Sequence, residues 1–298
     1  MPELPEVETV VRTLRPHVAN RTVLSWQVLG ASSCLVPESR PLEDLAGFTV
    51  QEVFRRGKYI AMRLSREGLE DRFLVVHLRM TGRLIAYEKE AAAASGWPPS
   101  FAEKHIRAAG LLADEAGQEP ACALVFHDVR KFGRLFAGTK AELERWSSWK
   151  KLGPEPLLMG ADAFVQAVRG SRAIKQVLLD QTVLAGVGNI YADESLFAAR
   201  IHPQSYAGAV PENALRTLYA ELCSLLLLSI EECGSSIRDY QDADGNVGAF
   251  QNHFAVYGRK DQPCRTCGTT LKRIVLNGRG TVFCPCCQKE YRQAGKKQ

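Results

Sequence analysis

The chain opens Met1-Pro2-Glu3-Leu4-Pro5-Glu6. If Met1 is removed, the mature terminus is a proline whose nitrogen is a free secondary amine. Such an amine can attack an electrophilic carbon and then form an iminium link. An α-amino group also titrates near neutrality, so much of it is unprotonated at working pH. Glu3 follows at once, a carboxylic acid placed for proton transfer. The same residues also read as an ordinary Met-Pro start to an amphipathic helix, with Pro5 at its first position, Glu6 and Glu8 in its first turn, Val7, Val10, Val11 and Leu14 along one face, and Pro16 as the stop.

Cysteine spacing is the sharpest signal elsewhere. Cys264-x-x-Cys267 and Cys284-Pro-Cys286-Cys287 are separated by the interval of a four-cysteine zinc site. Four thiolates suit a tetrahedral Zn²⁺ with no open position, so one structural zinc is expected, on Cys264, Cys267, Cys284 and Cys287. Cys286 leaves the register open, although Cys287 alone completes two C-x-x-C pairs. Between the knuckles, TLKRIVL and GTVFC flank Asn277-Gly278-Arg279-Gly280, a hairpin-turn sequence with Arg279 at its tip. Nine cysteines in a chain with no basic-then-apolar leader suggest a reducing, cytoplasmic setting, with Cys34, Cys122, Cys223 and Cys233 expected as small buried residues. The longest apolar run, around Leu225–Leu228, is short against a bilayer, so no membrane partner is expected.

Three weaker patterns remain. Leu184-Ala185-Gly186-Val187-Gly188-Asn189 joins two helical stretches, and its turn and the next helix start offer N–H groups to a phosphate, with Asn189 as cap and Lys175 in the preceding helix. Met80 in HLRMTG, with Arg130 and Phe132 in HDVRKFG, combine a flexible apolar side chain, a cation and an aromatic, the types that fill a gap in a base stack. Each of the three taken singly reads better as a core or surface residue. Lys58 in RRGKY fits a charged strand edge or a phosphate contact.

The elements that must carry these residues follow in order. After the first helix, short strand-like segments run from Thr22 to about Gly138, the pattern of an antiparallel sandwich or barrel, with residues 90–103 as a loop. Lys151–Leu157 reads as a linker, and helices are expected over 161–168, 172–184, 190–199 and 211–233. The expected fold class is therefore α+β and multidomain: an N-terminal catalytic β-sandwich with an N-terminal helix (1–150), a helical domain (151–254), a zinc-stapled β-hairpin (255–290) and a basic tail (291–298). Net charge is a mild +5, but residues 255–298 hold ten Lys/Arg against two Asp/Glu, which points to a polyanion there.

In order along the chain, PELPEVET, RRGKY, HLRMTG, HDVRKFG, LGPEPL, AIKQVLLDQTVLAGVGNIYADESLFAARIHP and VYGRKDQPCRTCG…CPCCQ resemble the bacterial formamidopyrimidine-DNA glycosylase family over essentially residues 2–290. The resemblance implies a helix–two-turn–helix in the helical domain and an activity of base excision: a bifunctional glycosylase/AP lyase, monomeric, acting on double-stranded DNA that contains oxidised purines. It implies Pro2 as nucleophile, Glu3 as general acid/base, Glu6 as support and Lys58 as a lysine of the site. It further implies Met80, Arg130 and Phe132 as void fillers, His105, Lys175 and Asn189 as backbone contacts, and Arg279 as a phosphate contact that aids the second elimination. The long 90–120 loop, Thr81, Arg169 and Arg172 in place of a lysine run, and the extra Cys286 depart from the family pattern. Two other readings differ in class: an endonuclease VIII-type enzyme for oxidised pyrimidines, against which the extended Gly234–Gln251 segment argues, and a non-catalytic damage-binding protein, against which the intact Pro2-Glu3 pair and Lys58 argue.

Overall fold

A computed structural model describes residues 1–29, 34–90, 104–114, 119–236 and 240–292. The expected loop at 90–103, apart from Glu90, and the last six residues of the basic tail lie outside them. The chain divides into two compact units, Met1–Lys150 with Cys233–Ala249, and Lys151–Glu232 with Phe250–Gln298.

The first unit begins with α1 (Leu4–Val18), followed by β1 (Thr22–Val28), β2 (Thr49–Arg56), β3 (Tyr59–Ser65), β4 (Arg72–His77), β5 (Gly82–Glu88), β6 (Ile106–Ala113), β7 (Pro120–Asp128) and β8 (Arg134–Gly138), then the short helices α2 (Lys140–Leu143) and α3 (Ser147–Lys150). The strands form one antiparallel sheet in the order β5-β7-β6-β1-β2-β3-β4-β8. β1 pairs with β2 through Thr22–Thr49 alone, so the sheet consists of two four-stranded halves joined at one bridge. Inward residues of both halves, such as Trp26, Leu112 and Phe126 from one and Val53, Met62 and Val76 from the other, share a single core. That is the expected sandwich.

Helix α1 closes this core with Val7, Val10, Val11 and Leu14, all at most 1% exposed. Burial of each contributes about 1.5–3 kcal/mol. Pro16 does not stop the helix, which runs on to Val18. A proline in the last turn removes one hydrogen bond without breaking the turns before it.

The second unit contains α4 (Ala161–Val168), α5 (Ile174–Leu179), α6 (Asn189–Ala198), α7 (Glu212–Glu231) and a hairpin of β9 (Lys272–Leu276) and β10 (Arg279–Phe283). Helix α5 is shorter than its apolar pattern suggests, because Asp180 leaves helical geometry and opens the turn that leads to α6. By length and composition α7 passes the test for a bilayer span, unlike the short run read from the sequence. Its buried residues Leu215, Leu218, Leu222 and Leu226 recur every three or four positions, the stripe of a helix packed on one side, against α6 and α4. Of the scattered cysteines, Cys34 and Cys122 are buried as expected, Cys223 is half-buried and Cys233 is exposed.

Candidate active site

With Met1 in place the nitrogen of Pro2 is an amide, and Pro2 is buried behind a partly exposed Met1. Glu3 is the extended residue before α1 and is 3% exposed. The Glu6 carboxylate reaches back to accept the Glu3 N–H at 2.8 Å, one arm of a capping box. Its other oxygen accepts from the Ser235 N–H at 2.9 Å and the Ser235 hydroxyl at 2.8 Å. The Tyr240 hydroxyl donates to the Glu6 carbonyl at 3.2 Å, and burial pushes that phenol's pKa up, so it remains a donor. Gly234 makes this approach feasible: it has φ +81°, and a Cβ there would stand 3.0 Å from the Glu6 side chain. Glu6 thus ties the start of α1 to a segment more than 220 residues away.

Lys58 sits in the two-residue turn between β2 and β3 and is 4% exposed. Tyr59 faces His77 across β3 and β4, with ring centroids 4.6 Å apart, edge to face. His77 Nδ1 accepts the Arg79 N–H at 3.0 Å, which leaves the ring proton on Nε2. Burial, then the charges of Arg79 and Lys58, bring the His77 pKa down to about 3, so the ring is neutral at pH 7. His77 was not singled out in the sequence; its one signal is its place at the head of HLRMTG.

Met80, Arg130 and Phe132 converge. The Arg130 guanidinium lies 4.8 Å from the Phe132 ring centroid, and its Nη1 is 3.4 Å from the Met80 sulfur. Met80 is 42% and Phe132 46% exposed, a large apolar display for side chains of this type. His105 stands just before β6, with its carbonyl accepting the Asp128 N–H at 2.9 Å and its ring edge-on to His127.

In the second unit Lys175 is fully buried. Its ammonium is 2.5 Å from Asp193 Oδ1 and donates to Thr281 Oγ1 at 2.7 Å and the Gly280 carbonyl at 3.4 Å. Burial raises the Asp193 carboxyl to about 7 against the pull of Lys175. Asn189 does not cap α6, whose N-cap is Gly188; instead its Nδ2 donates to the same Gly280 carbonyl at 2.9 Å. A cavity of about 280 Å³ opens beside this network, lined by Arg172, Lys175, Gln176, Asn277 and Arg279 among others. Arg279 is the first residue of β10, paired with Leu276 across Asn277 and Gly278, both at positive φ as a two-residue hairpin turn requires. Glu194, not singled out in the sequence, accepts the N–H groups of Ala255, Val256 and Tyr257 and so ties α6 to the start of the cysteine module.

The sulfurs of Cys264, Cys267, Cys284 and Cys287 all lie within 4.8 Å of one another. Tetrahedral Zn–S bonds of about 2.3 Å place sulfurs about 3.8 Å apart, so the set fits one structural zinc. Cys286 is exposed and stands outside the set.

Three family models match the chain in sequence: the formamidopyrimidine-DNA glycosylase N-terminal domain over residues 1–135, the formamidopyrimidine-DNA glycosylase H2TH domain over 152–241, and the zinc finger found in FPG and IleRS over 261–289. The formamidopyrimidine-DNA glycosylase of Desulfitobacterium hafniense is 41% identical over 295 residues, covering 97% of this chain and 100% of that one. The MutM (FPG) protein of Thermus thermophilus superposes with a TM-score of 0.81 at 39% identity, covering 97% and 99%. The Lactococcus lactis Fpg in complex with abasic-site DNA gives 0.80 at 34% identity, covering 97% and 100%. By full-length identity, domain order and fold, the chain belongs to the formamidopyrimidine-DNA glycosylase family.

Proposed function

We propose that this protein is a bifunctional DNA glycosylase/AP lyase of base excision repair that removes oxidised purines, 8-oxoguanine and formamidopyrimidines, from double-stranded DNA. The observation that carries the reading is the start of α1: a proline terminus, a buried carboxylic acid beside it, and Glu6 holding both the Glu3 backbone and Ser235. The Lactococcus lactis relative was solved with abasic-site DNA, the product of a glycosylase step.

The chemistry starts once Met1 is gone. The target nucleotide leaves the stack, because its C1′ is inaccessible within a duplex. The Pro2 nitrogen bonds to C1′ as the C1′–base bond breaks, and the base departs with a proton. Glu3 protonates the sugar ring oxygen, the ring opens, and an iminium joins Pro2 to C1′. Loss of a C2′ proton expels the 3′ phosphate, loss of a C4′ proton expels the 5′ phosphate, and water then hydrolyses the iminium, freeing Pro2 and the sugar remnant and leaving a one-nucleotide gap. Lys58 and the neutral His77, a donor through Nε2, stand near each other in the same unit and suit the sugar-phosphate backbone. Met80, Arg130 and Phe132 fill the space left by the everted base, and His105 serves the backbone beside them. Arg279 takes a phosphate and aids the second elimination. Asn189 and Lys175 serve the same phosphate site, both holding the Gly280 carbonyl behind Arg279. Zinc, held by the four cysteines, supplies folding free energy to the module that carries Arg279. The reading includes a monomer in the cytoplasm with no membrane contact, in keeping with the one-sided leucine stripe of α7.

Borohydride trapping tests it. Protein with Met1 removed should give a covalent adduct with a duplex that contains one 8-oxoguanine, and should cleave the strand. Protein with a retained N-terminal tag should bind the duplex but give neither. A normal adduct from the blocked protein would rule out Pro2 as nucleophile, and greater excision of an oxidised pyrimidine than of 8-oxoguanine would rule out the substrate class.

A further inference from the structure

Asp128 is 1% exposed, and its carboxylate is surrounded by donors. Oδ1 accepts the Thr81 hydroxyl at 2.5 Å and the Arg130 N–H at 3.2 Å; Oδ2 accepts the Gly133 N–H at 2.7 Å. Thr81 Oγ1 accepts the same Arg130 N–H at 3.2 Å. The main chain of Asp128 is itself held, with its N–H on the His105 carbonyl at 2.9 Å and its own carbonyl taking Arg107 Nε at 2.8 Å. One buried anion, pinned to β6, therefore staples both ends of the exposed loop 129–132 and reaches across to the turn that carries Met80.

The loop has reason to need such a staple. Val129 is 50% and Phe132 46% exposed, and Lys131 has φ +60°, a left-handed conformation that is unfavourable for a residue with a Cβ. Hydrogen bonds to a buried carboxylate are among the stronger ones in a protein and offset that cost. Asp128 is buried and its oxygens are taken up by the N–H groups of Arg130 and Gly133 and the Thr81 hydroxyl, so it acts through the loop.

We propose that Asp128 and Thr81 are positioning residues for base discrimination: together they set where Arg130 stands relative to Met80, and so how strictly the enzyme requires cytosine opposite the lesion. This rests on the reading above in which Arg130 enters the space left by the everted base, where its guanidinium meets the edge of the base left unpaired. A guanidinium fork distinguishes an acceptor-bearing cytosine edge from adenine only when its donors are correctly placed. Thr81 needs its hydroxyl for this, both to donate to Asp128 and to accept from Arg130.

Single-turnover excision from duplexes with 8-oxoguanine opposite cytosine and opposite adenine tests this. Thr81→Val should lower the cytosine-to-adenine rate ratio about three- to ten-fold, the size of one ordinary hydrogen bond lost. Thr81→Ser should restore most of the ratio, and Thr81→Val should add nothing in an Arg130→Ala background. Asp128→Asn should act in the same direction; if it does not fold, Thr81→Val decides the matter. If Arg130→Ala collapses the ratio while Thr81→Val leaves it intact, or if the two effects add, the clamp is overturned and the role of Arg130 stands. If Arg130→Ala leaves the ratio unchanged, the opposite-base reading falls and takes the clamp with it. If the unaltered enzyme excises opposite neither base, the glycosylase reading itself has failed.

Discussion

His77 shows how one side chain acquires its state from its surroundings. An imidazole in water is half protonated near pH 6.5, whereas here burial and two neighbouring cations hold it neutral down to about pH 3. Unfolding therefore takes up a proton at any pH between those values. The stability this group contributes is complete above pH 6.5 and is lost as pH falls toward 3. His77→Gln, whose amide oxygen can still accept the Arg79 N–H, should flatten that loss. All four tryptophans lie in residues 1–150, so tryptophan fluorescence during urea unfolding reports on the first unit alone. Between pH 7 and pH 5 the variant should lose less stability than the parent, by up to about 2 kcal/mol. An identical loss in the two proteins would show that His77 carries no proton linkage.

At the scale of elements, the contact between α5, α6 and the hairpin turns on the buried Lys175–Asp193 pair. A pair of this kind is weak as a source of stability but costly to break, because the surviving charge is left buried. Lys175→Ala should destabilise the second unit by about 3–5 kcal/mol at neutral pH. Without its ammonium partner, the carboxyl of Asp193 has a folded-state pKa raised further, so the deficit should shrink as pH falls and that carboxyl is neutralised. Lys175→Met combined with Asp193→Leu should recover much of the loss. Calorimetry distinguishes the cases: a double variant as unstable as Lys175→Ala would mean that the hydrogen bonds to Thr281 and Gly280, rather than charge balance, hold the elements together.

For the molecule as a whole, the cysteine module is too small to stand on its apolar contacts. Its core cluster is Val256, Leu271 and Val282 with the ligands Cys264 and Cys284. Zinc therefore supplies free energy that the chain cannot, about 10 kcal/mol or more in comparable fingers. Cys267→Ser should lose the metal and, with it, the placement of Arg279 and tight DNA binding, while leaving the first unit folded. Cys286→Ser should keep one zinc per chain, because its sulfur is outside the cluster. Metal content by mass spectrometry, set beside DNA affinity, checks both; zinc lost from the Cys286 variant but kept in Cys287→Ser would reassign the fourth ligand.

Much of this architecture could be read from local sequence, because local physics specifies it. Asn277-Gly278 dictates a two-residue turn through its tolerance of positive φ, paired C-x-x-C knuckles imply a closed metal site, and the valine stripe of α1 marks a core-facing helix. The strand run from Thr22 to Gly138 was legible for the same reason, since alternation and turn residues act over a few positions. What only the tertiary structure decided were the states of polar groups. Nothing within a few residues of Lys175 says that it is buried on Asp193, and nothing near Asn189 says that its amide serves Gly280 rather than its own helix. Glu6 finds Ser235, and Met80 finds Arg130, across 229 and 50 positions of chain. A side chain's partner at that distance depends on which surfaces the core brings together, and a polar group removed from water must take the partner it meets there.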